Sequence, residues 1–202
     1  MGLVPKRQLR ESYSISRIIK GGWQLAGDHG PIVPDRVVQD MFAFVDAGIT
    51  TFDCADIYTG VEELIGAFRA QLKQTHGANI AGQVKIHTKY VPDRDSLATL
   101  QFADVEKVID RSLKRLGQEQ LDLVQFHWWN YAIPGHAEAI SHFQFLAEKT
   151  GGKFVTLEAI HDLVDLIVAV SIKESNPLLL QAYTEELKQK GVLTESKRKL
   201  LQ

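Results

Sequence analysis

Four residue types that together suit proton transfer lie at the ends of three successive apolar runs. Asp53 and Tyr58 follow the run that ends at Phe52. Lys89 follows Val84-Lys85-Ile86-His87-Thr88, and His127 follows the run over 121–126. Ionisable groups at the C-terminal ends of strands are where α/β proteins commonly place their chemistry. A tyrosine hydroxyl titrates near pH 10 and needs help to exchange a proton at neutral pH. A nearby ammonium favours the phenolate, and an ionised aspartate beside the lysine fixes the lysine's position and charge. Asp53, across a strand-to-helix turn from Tyr58, is placed to hold Lys89 in this way. His127 can donate a hydrogen bond to a substrate oxygen. An acid, a phenol, an amine and an imidazole gathered at strand ends make a site for proton transfer to a carbonyl oxygen.

Each residue alone has a plainer reading. Tyr58 can pack in its turn with a solvated hydroxyl, and Lys89 can be a surface lysine. His127, before two tryptophans, can be a half-buried structural histidine, and Asp53 can cap the helix that follows it. A metal-dependent hydrolase using Asp53, Asp56 and His127 is a further alternative. Against it, no strand carries His-x-His, and His87 stands in an unclear register to Lys89. It is the joint placement on three strand ends that favours proton transfer.

The elements that must position these residues alternate. Apolar runs over 15–22, 49–53, 84–88 and 121–126 predict strands. Helical spacing predicts helices over 34–47, 61–72, 104–116 and 135–149. Pro34-Asp35 opens the first helix and Gly48 stops it; Gly117 follows the third. Strands alternating with helices imply parallel pairing with right-handed crossovers. Four βα units fit either a doubly wound sheet or part of a (β/α)8 barrel, and periodicity does not separate the two. No G-x-G-x-x-G follows any strand, which argues against a dinucleotide-binding Rossmann unit. Beyond Gly151-Gly152-Lys153 the pattern changes. A short strand over 153–156, helices over 157–170 and 178–189, the second opened by Asn176-Pro177, and a polar terminal turn over 195–202 are predicted.

The motifs resemble those of the aldo-keto reductases. Phe52-Asp53-Cys54-Ala55-Asp56-Ile57-Tyr58, with Glu62 and Gly66 behind it, is similar to the family's D-x-A-x-x-Y…E…G signature. Thr88-Lys89 resembles the lysine that ends the third major strand. Leu121-Asp122-Leu123-Val124-Gln125-Phe126-His127-Trp128 resembles the fourth strand, L-D-L-x-x-x-H. Gly21-Gly22-Trp23 resembles the glycine pair that ends the first strand under the nicotinamide. The resemblance covers about residues 15–153. It implies a (β/α)8 barrel that binds NADPH and reduces aldehydes or ketones. By resemblance Tyr58 is the general acid, Lys89 stabilises its ionised form, Asp53 pairs with Lys89, and His127 orients the carbonyl. Gly22, Trp23 and Asp53 are the cofactor-binding candidates. Trp23, Trp128 and Trp129 are the substrate-pocket candidates.

A full barrel of this kind has eight strands, and this chain of 202 residues offers four, with a fifth weakly indicated. The expectation is therefore a partial (β/α)8 barrel of four to five βα units over 1–156. A divergent helical tail over 157–202 packs on the same domain. No counterpart of the nicotinamide-stacking ring or of the late basic segment is found, which predicts weakened NADPH affinity. A second copy or a partner completing the barrel, a truncated reductase, and a non-catalytic reductase-like subunit are all consistent with that reading.

Composition excludes several classes. Lys plus Arg number 23 against 25 Asp plus Glu, a net charge of −2 that points to neither nucleic acid nor an anionic membrane. One cysteine, Cys54, permits no intrachain disulfide and suits a reducing compartment. The apolar runs are too short to span a bilayer, and the start lacks a secretory h-region. A cytoplasmic enzyme acting on a small carbonyl compound is the expectation.

Overall fold

The computed structural model describes residues 4–10, 13–27, 30–152, 154 and 177–191. The chain resolves into two compact units, Met1–Thr150 and Gly151–Gln202. In the first, β1 (Lys6–Arg10) and β2 (Tyr13–Ser16) form an antiparallel hairpin. Four parallel strands follow: β3 (Ile19–Gly21), β4 (Thr51–Asp53), β5 (Lys85–Tyr90) and β6 (Leu123–Phe126). The helices are α1 (Pro34–Asp46), α2 (Val61–His76), a short α3 (Ala78–Ala81), α4 (Phe102–Leu116) and α5 (His136–Lys149). In the second unit the described helix is α6 (Pro177–Gln189), which matches the prediction over 178–189. Residue 154 apart, the strand predicted over 153–156 lies outside the described residues. So do the helix over 157–170 and the turn over 195–202.

Strand order separates the two architectures that periodicity left open. The sheet runs β3-β4-β5-β6, in sequence order and with every neighbour parallel. A doubly wound sheet reverses its direction of growth and leaves a crevice at the reversal. Here each crossover adds the next strand on the same side, as in an α/β barrel. The fold is α/β, a four-strand segment of the (β/α)8 architecture, and among the described residues no barrel closes.

Local chemistry explains the helix ends. Pro34 is tolerated at the first helical position because its missing N–H has no intrahelical role there, and α1 buries Val37, Val38, Met41 and Val45. The third predicted helix starts at Phe102 instead of Asp104. Asp104 is the third helical residue, and its carboxylate accepts the Gln101 backbone N–H at 2.9 Å in a reciprocal capping box.

Two strands differ from expectation. The run over 15–22 is not one strand: it breaks between β2 and β3. Ser16 faces sideways, its Oγ accepting Thr50 N–H and Thr51 N–H while its own N–H reaches Thr51 Oγ1. The β1–β2 hairpin has no counterpart in the prediction, because Lys6-Arg7-Gln8-Leu9-Arg10 is polar and only pairing with β2 makes it a strand.

The core lies between sheet and helices. Phe52, Val61, Ile65, Phe68, Leu72, Val84 and Ile86 are buried in one cluster, and each large side chain so buried stabilises by about 1.5–3 kcal/mol. A second cluster holds Tyr90, Leu97, Leu100, Val105, Trp128 and Ala139. Successive strand residues point to opposite faces. Phe52 and Ile86 therefore turn to the helices, while Asp53, His87, Lys89 and Gln125 line the other face.

Candidate active site

The C-terminal ends of β4 and β5 bring three of the four predicted catalytic residues together. Lys89 Nζ lies 2.6 Å from Asp53 Oδ2 and 2.8 Å from the Cys54 carbonyl oxygen. It also sits 5.6 Å from the centroid of the half-buried Tyr58 ring. Only about a fifth of the Lys89 side chain and a quarter of that of Asp53 remain exposed, so the pair is partly shielded from solvent. Pairing extends β5 to Tyr90, which places Lys89 inside the strand instead of after it. The sheet rigidly sets its Cα.

His127 arrives by a different route. Its backbone N–H donates to the Tyr90 carbonyl at 3.0 Å, so it stands at the end of β6 beside the strand that carries Lys89. Its ring is exposed and meets the edge of Trp129, with centroids 4.6 Å apart. Among the described residues it forms no hydrogen bond or ring contact with Asp53, Tyr58 or Lys89. Instead Gln125, two residues earlier on the same face, reaches Asp53 Oδ1 at 3.4 Å. Asp53 thus holds a partner on each carboxylate oxygen.

The glycines supply surface. Gly22 donates its N–H to the Asp53 carbonyl at 2.8 Å. A Cβ there would stand 2.8 Å from Val61 Cγ1 and 2.9 Å from the Asp53 carbonyl, so no side chain fits. Gly21 pairs with Asp53 in the β3–β4 register, and a Cβ on it would meet nothing within 4 Å. The strand surface beside Asp53 is consequently flat and open.

The three tryptophans divide. Trp23, on the short turn after Gly22, is 54% exposed, and Trp129 is 41% exposed with its indole N–H donated to the Pro92 carbonyl at 2.8 Å. Trp128, expected in the substrate pocket, is 5% exposed in the second core cluster and donates its indole N–H to the Asn130 carbonyl. Alternation along the chain turns it to the helix side. A cavity of about 450 Å³ between α1 and α2, lined by Leu25, Ile32, Val38, Leu64 and others, includes none of the predicted site residues.

Behind the site stands a polar bracket. Asp56 donates its backbone N–H to the Lys89 carbonyl, and its carboxylate accepts Val91 N–H and Arg111 Nη2, each at 2.9 Å. Burial raises the Asp56 carboxyl above its usual range, opposed by the Val91 N–H and Arg111. Glu62, fully buried, accepts the Thr88 hydroxyl at 2.7 Å and Arg115 Nη1 at 3.3 Å; Arg115 also donates to the Asp56 carbonyl. These bonds clamp the turn carrying Tyr58 to the strand end carrying Lys89. The two arginines are one helical turn apart on α4, a spacing that could have drawn attention to them. With Asp53 bonded to Lys89 and Asp56 to Arg111, the two carboxylates go to separate cations instead of one metal site. Burial pushes the Cys54 thiol up to about 12, which makes it a packing group; its carbonyl is what the site uses.

The chain has relatives among known proteins. The chain is 31% identical over 130 residues to a 6-dehydroglucose reductase of Agrobacterium fabrum, a match covering 59% of this chain and 42% of that protein. In fold it resembles an aldo-keto reductase of the silkworm Bombyx mori solved with NADPH. That likeness has a TM-score of 0.58 at 23% identity and covers 74% of this chain and 46% of the other. A second silkworm aldo-keto reductase, solved with NADP, gives a TM-score of 0.57 at 21% identity, covering 73% and 48%. The chain spans about half the length of the relatives it matches. The sequence model of the aldo/keto reductase family matches residues 17–194, running well past residue 153, where the motif resemblance fades. With that match over most of its length and with the Asp53–Lys89–Tyr58 cluster at its strand ends, the chain belongs to the aldo/keto reductase family.

Proposed function

We propose that this chain performs NADPH-dependent reduction of an aldehyde or ketone, with Tyr58 as the proton donor. One observation carries the reading: the Lys89 ammonium is anchored by Asp53 and the Cys54 carbonyl at the face of the Tyr58 ring. A proton passes from the Tyr58 hydroxyl to the carbonyl oxygen, and the fixed ammonium stabilises the phenolate left behind. Asp53 holds the Lys89 ammonium in place. His127, exposed at the neighbouring strand end, orients the carbonyl oxygen by a hydrogen bond. Trp23 and Trp129, with exposed rings, supply apolar walls.

The flat surface at Gly21 and Gly22 beside Asp53 fits a planar ring, and relatives of the same fold are solved with NADPH and NADP. Gly22, Trp23 and Asp53 would hold the nicotinamide end. When bound, this cofactor supplies the hydride.

Replacing Tyr58 by Phe should lower turnover of a simple aldehyde by about 100-fold or more while leaving the circular dichroism spectrum unchanged. NADPH oxidation followed by absorbance measures it. Undiminished turnover in Tyr58→Phe, or none in the parent chain, sinks the reading.

A further inference from the structure

Beyond the four residues of the proton-transfer site, a cation stands at the same end of the sheet. Arg94 lies in the connection that leaves β5, opening the 3-10 turn Arg94–Thr99. Its guanidinium carbon sits 4.6 Å from the centroid of the Trp129 ring. Trp129 is fixed in turn by its bond to the Pro92 carbonyl and by the edge contact with His127 at 4.6 Å. Two short steps through one rigid indole therefore connect the guanidinium to the imidazole. A guanidinium held over an indole face keeps its charge and its N–H donors available for a further partner. Arg94 is exposed, and among the described residues it forms no ion pair or hydrogen bond; Asp93 and Asp95 adjoin it without bonding to it.

A planar fork of donors, placed over Trp129 beside a carbonyl-orienting histidine, suits bidentate binding of a carboxylate. We infer that Arg94, held on Trp129, is a specificity-determining residue that selects carbonyl substrates carrying a carboxylate a few bonds from the reacting carbon. This rests on the reductase reading above. The Arg94 guanidinium binds the carboxylate, the Trp129 face packs the carbon skeleton between, and His127 meets the carbonyl at the other end.

The test compares 4-carboxybenzaldehyde with 4-nitrobenzaldehyde, its neutral near-isostere, on the full chain and on Arg94→Gln and Arg94→Lys. The parent chain should favour the carboxylate about tenfold through KM, and Arg94→Gln should erase that preference without changing kcat or the constants for the nitro compound. Arg94→Lys should keep part of it, because the charge remains and the fork is lost. Binding of both aldehydes to the protein, read by tryptophan fluorescence, should show the same difference in Kd, and added salt should weaken only the carboxylate. No preference in the parent chain, or a preference unchanged in Arg94→Gln, overturns the assignment. The two readings fail separately. Turnover that survives Tyr58→Phe defeats the proton donor and leaves the binding difference intact; equal binding defeats Arg94 and leaves Tyr58 untouched.

Discussion

Lys89 has two oxygen acceptors within 2.8 Å and a phenol ring beside it, supplied by the last residue of β4 and the turn that follows it. Residue type and position at strand ends were enough to single out Asp53, Tyr58 and Lys89. The roles of Gln125 and Arg94 were not legible, because a glutamine or arginine near a strand end carries no signal of its own until its partner is known. The same holds for His87. It shares the face of Lys89, stacks on Tyr13 and bonds the Tyr13 hydroxyl at 2.9 Å. Burial holds it below its usual range, with Asp53 and Asp122 opposing that shift and Lys89 adding to it; Lys85, over the Tyr13 ring, adjoins the same group. The unfolded chain therefore binds a proton that the folded chain resists, and stability is lost as pH falls below about 6.5. Asp56, raised by burial, acts in the opposite sense at lower pH. Thermal melts from pH 7.5 down to 5.5 should show a falling Tm, and His87→Gln should flatten the slope (pH values on the order of the histidine range). An equal slope in both proteins contradicts the assignment.

At the scale of elements, α2 and α4 touch backbone to backbone at Gly66. A Cβ there would stand 2.2 Å from the Arg115 carbonyl oxygen and 3.2 Å from Leu116. Gly66→Ala should therefore push the helices apart and cost about 2 kcal/mol of stability, measured by urea denaturation. Because Arg115 also holds Glu62 and the Asp56 carbonyl, any activity of the chain should fall with it. Full stability in Gly66→Ala would mean that the helices do not meet at this point. Gly66 was visible as part of a motif, yet nothing in its spacing identified which helix it approaches. Helix existence followed from periodicity, while boundaries followed from chemistry that periodicity misses. The capping box at Gln101 and Asp104 is one case. The β1–β2 hairpin is another, since a polar segment becomes a strand only through a partner.

At the scale of the whole molecule, burial is uneven. Phe52, Ile65, Phe68, Leu72, Val84 and Ile86 are at 1% exposure or less, whereas Leu9 in the hairpin is 50% exposed. Native-state hydrogen exchange should be slowest in β4, β5 and α2 and faster in β1 and β2. A hairpin that exchanges last would contradict this order of stability. Among the described residues no helix is long and apolar enough to cross a membrane. The four-strand sheet agrees with the expected partial barrel, and the family match extends to residue 194, into the region that motif reading treated as divergent.

By itself the sequence determined the alternation of strands and helices, the aldo-keto reductase motifs and the candidate residues Asp53, Tyr58, Lys89 and His127, because these depend on local periodicity and residue type. Only the tertiary structure decided the strand order, the burial of Trp128, the Gln125–Asp53 bond and the stacking of Arg94 on Trp129. Those features depend on which distant segments meet, and contacts between segments far apart in the chain leave no periodic trace within either of them.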